Sequence, residues 1–406
     1  MVATRAWSFP AYRAIWTGTL LNQIGTWTFQ IAVVDYAIRG GATATQLGLL
    51  VAVVLAPVSF LGPLAGAIAD TRGAVGPILL GAATGVVGSL VVLWLVMSDA
   101  GLVAIGASSV LIGISVAVDG PARVRLTVES VGFDHLKDAL AMGGLLFNSG
   151  RFLGPIVGGL AIAVGGVRLA LIVNAVSYIG SIAGTLYAVR HKALDLPLAI
   201  RQKRQVREGI GYVRSRPRLW IPLLGFLVMS LFTLNYLAFL PLVANELSED
   251  VARGTSLLLG SIGLGAMIGN AAVLFWSRAP SSPVLGAVIV AVANFPLAVA
   301  PLSEALAIGC LVICGVGMGL FFPSFQASLQ VAAEPAMQGR VSAIFFAANF
   351  GTDPIAALIV TAVVAFAGVS LGFGFAAAGG LAAALAVASQ LNDRSEVDGD
   401  GQLARV

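Results

Sequence analysis

Long apolar runs alternate with short polar connections along almost the whole chain. A membrane-spanning α-helix needs about 20 predominantly apolar residues, and about twelve such runs fit into this sequence. Transmembrane β-strands would instead give alternating segments of about ten residues. The pattern therefore predicts an all-α polytopic membrane protein with about twelve transmembrane helices.

One long polar connection divides the predicted helices into two groups of six. We predict an N-terminal six-helix bundle over residues 1–189, a cytoplasmic basic linker over 190–218, a C-terminal six-helix bundle over 219–390 and a disordered cytoplasmic tail over 391–406. The tail is polar and acidic and can bury little apolar surface. The apolar runs predict helices at about 15–38, 47–69, 76–97, 102–120, 169–189, 219–243, 255–277, 284–302, 305–329, 342–366 and 371–390, with a further helix around residue 154.

The composition agrees with this class and argues against several others. Hydrophobic residues make up 58% and charged residues 10% of the chain, whereas soluble globular proteins carry about 25% charged residues. Cys310 and Cys314 are the only cysteines and lie in an apolar run, so we interpret them as packing residues and expect no disulfide framework and no metal site. The first apolar run is long enough to span the bilayer, and we expect it to act as its own insertion signal.

The basic residues concentrate in connections on one side of the membrane. The linker holds nine lysines and arginines against two acidic residues. Basic amphipathic segments lie on anionic membrane surfaces, so we expect lipid contact and no nucleic-acid partner. The positive-inside rule then places both termini in the cytoplasm. This assignment rests on Arg72, Arg123, Arg125, Lys137, Arg278 and Arg340 on the linker's side against Arg39, Arg168 and Arg253 on the other.

A polar stripe runs along the first predicted helix. On a helical wheel its members fall within about 100°, and a stripe facing lipid would be costly, so we expect it to face a water-filled cavity. Hydrogen bonding between helices without a ligand is the alternative. Asp35 lies off the stripe near the outer end, either as a coupling charge or only as an interfacial one. The stripe comprises Thr19, Asn22, Gln23, Thr26 and Gln30.

The segment Asn148-Ser-Gly-Arg151-Phe-Leu-Gly-Pro155-Ile-Val-Gly-Gly159 combines small residues, a proline and a charge. Small residues at this spacing let helices approach closely in lipid, and the proline bends or weakens its turn. An arginine within the membrane needs a partner. The segment therefore predicts a hinge, a helix contact and a charge site in one place, or simply a kinked, tightly packed helix. The contact residues are Gly154, Pro155, Gly158 and Gly159.

Several segments resemble motifs of major facilitator transporters. The Gly154-Pro155 segment resembles the signature of their fifth helix, which is associated with exporters. The run from Gly66 through Asp70 to Arg72 resembles their loop between helices two and three, although Thr71 stands where a basic residue is usual. The segment from Pro121-Ala-Arg123 to Gly159, and more loosely the segment from Glu334 to Val341, resembles the enterobactin-exporter-like, transmembrane secretion effector branch of these transporters.

This resemblance implies two six-helix bundles that alternate access around a midplane cavity. It implies a monomer in a bacterial cytoplasmic membrane, with a small-molecule substrate and membrane lipids as its partners. Within the first bundle, Asp119 and Arg123 stand at i and i+4, which predicts a local ion pair as the simpler alternative to a functional role.

The eleventh predicted helix carries a second intramembrane charge. Ser342, Phe346, Asn349 and Asp353 share one face, and Asp353 lies about 17 Å into the helix at 1.5 Å per residue. Pro354 follows at an offset of 199 residues from Pro155, which suits an internal repeat. On the seventh helix, the aromatic residues Phe232, Tyr236 and Phe239 line a pocket or pack the core, and the sequence favours neither.

We therefore predict a secondary active transporter, most simply a proton-coupled exporter. A carboxylate in an apolar site binds a proton more readily, and a nearby cation opposes this, so Asp353 is the expected proton or cation-substrate site and Arg151 the balancing charge or an anion site. Asn22, Gln23, Thr26, Gln30, Asn148, Tyr236, Phe346 and Asn349 are expected to line the cavity. A lipid or lysolipid flippase, or an uptake carrier, remains the alternative on the same fold, and a non-transporting receptor is a more distant one.

The sequence gives no sign of an enzyme or of a cofactor. It has no Gly-x-x-x-x-Gly-Lys loop for ATP, so a proton gradient is the expected source of energy. His135 and His191 fall in predicted loops, and no nucleophile–base pair appears inside the membrane.

Overall fold

The computed structural model describes residues 5–193, 205–233, 236–275, 282–334 and 337–403, and within these ranges the chain is helical without a strand. The first half contains the helices α1 (Pro10–Arg39), α2 (Ala44–Arg72), α3 (Val75–Met97), α4 (Leu102–Val131), α5 (136–164) and α6 (167–191). The second half contains α7 (Pro217–Thr233 and Tyr236–Leu247), α8 (Val251–Phe275), α9 (Pro283–Val299), α10 (Glu304–Ala332), α11 (338–367) and α12 (369–403). The all-α polytopic membrane fold is confirmed.

Two tight glycine turns separate helices that are otherwise continuous. Gly165 and Gly166 divide α5 from α6, and Gly368 divides α11 from α12. Gly166 has φ +68° and Gly368 has φ +80°, a backbone conformation that glycine adopts without steric cost. The same turn therefore occurs at corresponding places in the two halves.

Two helices continue beyond the ends that the sequence suggests. Helix α4 passes through Pro121 to Val131, and α10 passes through Pro323 to Ala332, so neither proline closes its helix. A proline removes one backbone donor and bends the helix, but neighbouring groups in a bundle can satisfy the freed carbonyl. Helix α12 likewise continues to Leu403, where the sequence predicts disorder from Leu391, because extending an existing helix adds one hydrogen bond per residue fixed.

A short linker helix, Gln205–Arg214, joins the halves and is tied to the second one. Its Glu208 pairs with Arg340 at the start of α11 at 2.9 Å. The Tyr212 hydroxyl accepts a hydrogen bond from the Glu334 backbone at 2.9 Å, and Arg216 pairs with the Glu334 carboxylate at 2.7 Å. We call the side of the bundle that carries this helix the linker side, and the opposite side the far side.

Helices α8 and α10 pack backbone to backbone through two glycine pairs. Gly265 lies against Gly315, and Gly269 lies against Gly319 one turn further along. A Cβ added to Gly315 would lie 3.0 Å from the Gly265 Cα atom. Such close approach supplies packing between helices that lipid cannot supply through the hydrophobic effect. The two helices therefore form one rigid pair.

Replacing Gly315 by alanine is expected to destabilise the protein by roughly 1–3 kcal/mol, the usual cost of overpacking. Gly309→Ala is the matched control on the same helix, because an added Cβ there meets nothing within 4 Å. The control is expected to keep or raise stability, since alanine favours helix over glycine by about 1 kcal/mol. Thermal unfolding of the two purified variants measures this difference, and equal melting temperatures would contradict the packing described above.

Candidate substrate and proton site

The two halves touch along α5 and α8 in the far half of the bundle. A Cβ added to Gly263 of α8 would lie 2.6 Å from the Phe152 Cα atom of α5. Nearer the far side, a Cβ added to Gly159 of α5 would lie 2.6 Å from the Ser256 hydroxyl of α8. The halves are therefore in close contact from mid-helix to the far side.

Helices α2 and α11 make the matching contact. Gly48 lies against Thr361, whose Cβ would be 2.9 Å from an added methyl group. Toward the linker side the contact ends: Gly62, two heptads from Gly48 on the same face of α2, and Gly144 on α5 would each meet nothing within 4 Å. The interface is therefore closed at the far side, whereas at Gly62 and Gly144 no described atom of the opposite half approaches.

Arg151 of α5 and Asp353 of α11 lie at the same depth in opposite halves. Each stands fifteen residues beyond the first residue of its helix (151 − 136 and 353 − 338), which is about 22 Å along the axis. Both residues are partly buried, and their opposite charges interact. Because a Coulombic interaction in a low-dielectric site depends strongly on distance, this one must change when the halves move.

Arg151 has a second neighbour that the sequence did not reveal. Its guanidinium carbon lies 5.6 Å from the centre of the Trp27 ring on α1, within the range of a cation–π interaction. Trp27 is held there because its Cβ packs on Gly154, one turn along α5. The Arg151 Nε is buried and has no hydrogen-bond partner in the described part of the chain. One donor of the guanidinium is therefore left for water or a substrate acceptor.

A buried polar cluster lies in the second half near Arg151. The Tyr236 hydroxyl donates to Asn294 Oδ1 at 3.0 Å and contacts the Cys314 sulfur at 3.2 Å. The Asn294 amide donates to the Val290 carbonyl at 2.8 Å. All three polar residues are buried, so Tyr236 belongs to the interior of the second half and does not line an open cavity in this structure. Cys314 is likewise part of a polar cluster and not only a packing residue.

The polar stripe of α1 presents two unsatisfied amides. Asn22 Oδ1 and Gln30 Oε1 are buried and have no hydrogen-bond partner among the described residues. The Thr26 hydroxyl donates to the Asn22 carbonyl at 2.9 Å, and Gln23 packs on Gly150 of α5. Buried polar groups without a protein partner point to bound water or a ligand, so the two amides are acceptors available to a substrate.

The remaining predicted cavity residues are placed less informatively. Asn148 is partly buried, and its amide donates to the Gly144 carbonyl of its own helix at 3.0 Å. Asn349 is partly buried on α11, where its carbonyl accepts from Thr352 at 3.1 Å. The side chain of Phe346 lies outside the described residues.

The predicted conformational motifs occupy two regions. On α5, Pro155 and Gly158 are buried, and the Thr28 hydroxyl of α1 donates to the Gly154 carbonyl at 3.1 Å. At the linker-side end of α2, a Cβ added to Gly66 would lie 3.6 Å from the Pro121 Cβ atom. Arg72 there is exposed, and the Asp70 side chain lies outside the described residues.

The Asp119–Arg123 ion pair forms as predicted, but it is part of a larger network. Arg123 is buried and also donates to Thr19 of α1 at 2.8 Å and to Ser181 of α6. This arginine therefore ties three helices of the first half together and takes Thr19 out of the cavity stripe.

Two other buried carboxylates pair with nearby basic residues. Asp35 pairs with Arg39 at 2.7 Å through its Oδ2 atom at the far-side end of α1, while its buried Oδ1 atom has no hydrogen-bond partner among the described residues. Glu129, which the sequence reasoning did not single out, accepts from Arg125 at 3.1 Å and Lys192 at 3.2 Å on the linker side. The Glu129 site has the character of a structural ion-pair network.

Known proteins agree with this architecture. A family model described as the Major Facilitator Superfamily matches residues 15–352. The chain belongs to the major facilitator superfamily. Curated protein sequences give no match. The family match covers both Arg151 and its environment on α1, and it ends one residue before Asp353.

Solved transporter structures share the fold at low sequence identity. A POT family transporter in complex with a thioalcohol-conjugated peptide is 15% identical with a TM-score of 0.74, over 95% of this chain and 96% of that chain. The nucleoside transporter NupG is 12% identical with a TM-score of 0.70, over 94% of this chain and 99% of that chain. At these identities the likeness establishes the fold and not the substrate.

Proposed function

We propose that this superfamily member is a proton-coupled exporter of a small hydrophobic or amphiphilic molecule, such as a drug, a siderophore or a secondary metabolite. The observation that carries the proposal is the pair formed by Arg151 and Asp353, one from each half at equal depth. A charge pair that spans the moving interface couples protonation to the position of the halves. The resemblance of residues 121–159 to the enterobactin-exporter-like branch supports export as the direction.

In this mechanism the proton and the substrate use the pair alternately. With the linker side open, Asp353 releases its proton to that side, and its carboxylate interacts with Arg151. Substrate then enters, and its acceptor groups contact the free Arg151 donor while its donor groups meet the Asn22 and Gln30 amide oxygens. The halves rock, the substrate leaves at the far side, and a proton from that side binds Asp353. The neutral acid no longer attracts Arg151, and the halves return.

We infer that the linker side faces the cytoplasm of a bacterial cell. Arg125, Lys192, Arg216 and Arg340 lie on the linker side, whereas Arg39 and Arg253 lie at the far-side ends of their helices. This distribution agrees with the positive-inside rule and supports the proposal that both termini are cytoplasmic. Each chain holds both members of the charge pair, so a monomer surrounded by membrane lipids is the proposed working unit, with the proton gradient in place of a cofactor.

The test is substrate-driven proton movement in proteoliposomes that contain a trapped pH-sensitive dye. A panel of hydrophobic cations, neutral macrocycles and siderophore-like anions is added with the proton gradient present and again after an ionophore has collapsed it. The proposal predicts that, for at least one compound, protons cross the membrane in the direction opposite to that of the compound. Silence across the panel, together with protein-dependent movement of a fluorescent lipid between leaflets, would overturn it in favour of a flippase.

A further inference from the structure

A second cavity lies within the C-terminal half, away from the interface between the halves. It has a volume of about 560 Å³ and is bounded by α7, α8, α9, α10 and α12 at the linker side. Most of its lining is apolar, including Val273, Val331 and Val387, and none of the residues that line it is acidic. Its size falls within the range of about 300–1,000 Å³ that is usual for small-molecule sites. The cavity is separate from the Arg151–Asp353 site.

The mouth of this cavity is positively charged. Arg218 lines it from the second residue of α7, and the side chain is exposed and has no ion-pair partner in the described part of the chain. The N-terminus of α9 also lines the cavity. This helix has 17 residues, and the side chain of its N-cap, Ser282, makes no capping hydrogen bond. A helix N-terminus carries partial positive charge and unpaired N–H groups. Both features favour an anion.

The inner wall contains an unsatisfied hydroxyl. Ser324 of α10 lines the cavity at 5% exposure, and its Oγ has no hydrogen-bond partner among the described residues. The other serine on that helix face, Ser328, is satisfied by the Phe325 carbonyl at 2.7 Å. Because a buried hydroxyl without a partner is costly, Ser324 points to a polar group bound inside the cavity.

We propose that this cavity binds a phosphate-bearing amphiphile, with the phosphate between Arg218 and the N-terminus of α9. The apolar wall takes the first part of the attached chain, and Ser324 bonds to an oxygen of the ester or glycerol region. Basic pockets between membrane helices on the cytoplasmic side bind anionic lipid head groups by the same chemistry. The source is the anionic phospholipid of the surrounding membrane or a soluble phosphate ester with an apolar substituent.

Native mass spectrometry of the full-length protein measures this binding without transport, so its outcome is independent of the proposed export. Detergent-purified protein is titrated with dioleoyl phosphatidylglycerol, dioleoyl phosphatidylcholine or hexyl phosphate. Arg218→Gln is expected to weaken phosphatidylglycerol binding by roughly tenfold or more, the usual value of a charged hydrogen bond. Arg214→Gln is the control: Arg214 is exposed, carries the same charge and lies in the linker helix outside the cavity.

Ser324→Leu fills the inner wall and is expected to abolish the same adduct, while Ser324→Ala leaves the cavity open and weakens it only slightly. Because Arg218 is exposed, its variant remains informative if Ser324→Leu does not fold. Selective binding of phosphatidylglycerol identifies a membrane lipid, and binding of hexyl phosphate alone, with the same dependence on Arg218, identifies a soluble ester. Equal binding of phosphatidylglycerol and phosphatidylcholine, or equal binding by Arg218→Gln and Arg214→Gln, overturns the proposal.

Discussion

Asp353→Asn is expected to abolish substrate-driven proton movement while leaving the protein folded. Asparagine keeps the size and hydrogen-bonding capacity of the carboxyl group but cannot release or bind a proton. The partly buried Asp353 interacts with Arg151, so the variant also removes the charge that attracts the opposite half. Proton-coupled transport should be lost completely. Exchange of substrate at equal concentrations on the two sides of the membrane needs no net proton movement and should persist.

The measurement compares dye-reported proton flux and labelled-substrate exchange in the same proteoliposomes. Asp99→Asn is the matched control. Asp99 lies between α3 and α4 with φ 49°, a left-handed conformation that aspartate and asparagine both tolerate, so this variant should behave as the wild type. Proton flux that survives in Asp353→Asn, with normal exchange, would exclude Asp353 as the proton site.

Arg151→Gln is expected to destabilise the protein and to stop transport. Adding Asp353→Asn to this variant should restore the stability but not the transport. The single variant leaves the Asp353 charge without its counter-charge and removes the contact with Trp27. Breaking a fully buried pair costs about 3–5 kcal/mol, and roughly 1–3 kcal/mol is expected here because both residues are only partly buried. The double variant removes both charges and with them the electrostatic part of this cost.

Thermal unfolding of the two single variants and the double variant gives the coupling energy of the pair directly. Arg151→Lys is the conservative control: it keeps the charge but loses the planar group above Trp27, so it should retain most of the stability and part of the transport. Additive effects of the two single substitutions would show that the charges do not interact, contrary to the proposed mechanism.

The fold and the depth of the charge pair could be predicted from the sequence because both depend on local pattern. Apolar runs of membrane length locate the helices, and counting residues along α11 places Asp353 in mid-membrane. The predicted end of the fourth helix at residue 120 was wrong because a proline inside a bundle, here Pro121, bends a helix without ending it when neighbours satisfy the freed carbonyl. That compensation is a tertiary effect and leaves no local signal.

The surroundings of the pair were harder to predict because they involve residues that look ordinary on their own helices. Trp27 lies beside the polar stripe of α1 and reaches Arg151 only because Gly154 makes room for it. Asn294 is the only amide of α9 and sits in an otherwise apolar helix, so it was a detectable signal for the cluster with Tyr236 and Cys314. Which residues would meet it depends on how α7, α9 and α10 cross, and periodicity does not give that.

The glycine pairs between α8 and α10 determine how movement at the interface reaches the interior. Gly263 contacts α5 beside Arg151, and Gly265, two residues on, contacts Gly315, the neighbour of Cys314. Because no side chains separate the two backbones at these glycines, we expect α8 and α10 to move together as one rigid unit. In the proposed mechanism, separation of α5 from α8 would take Arg151 away from the Tyr236 hydroxyl and the Cys314 thiol as well as from Asp353. One rigid-body movement would then change both the charge pair and the dipoles around Arg151.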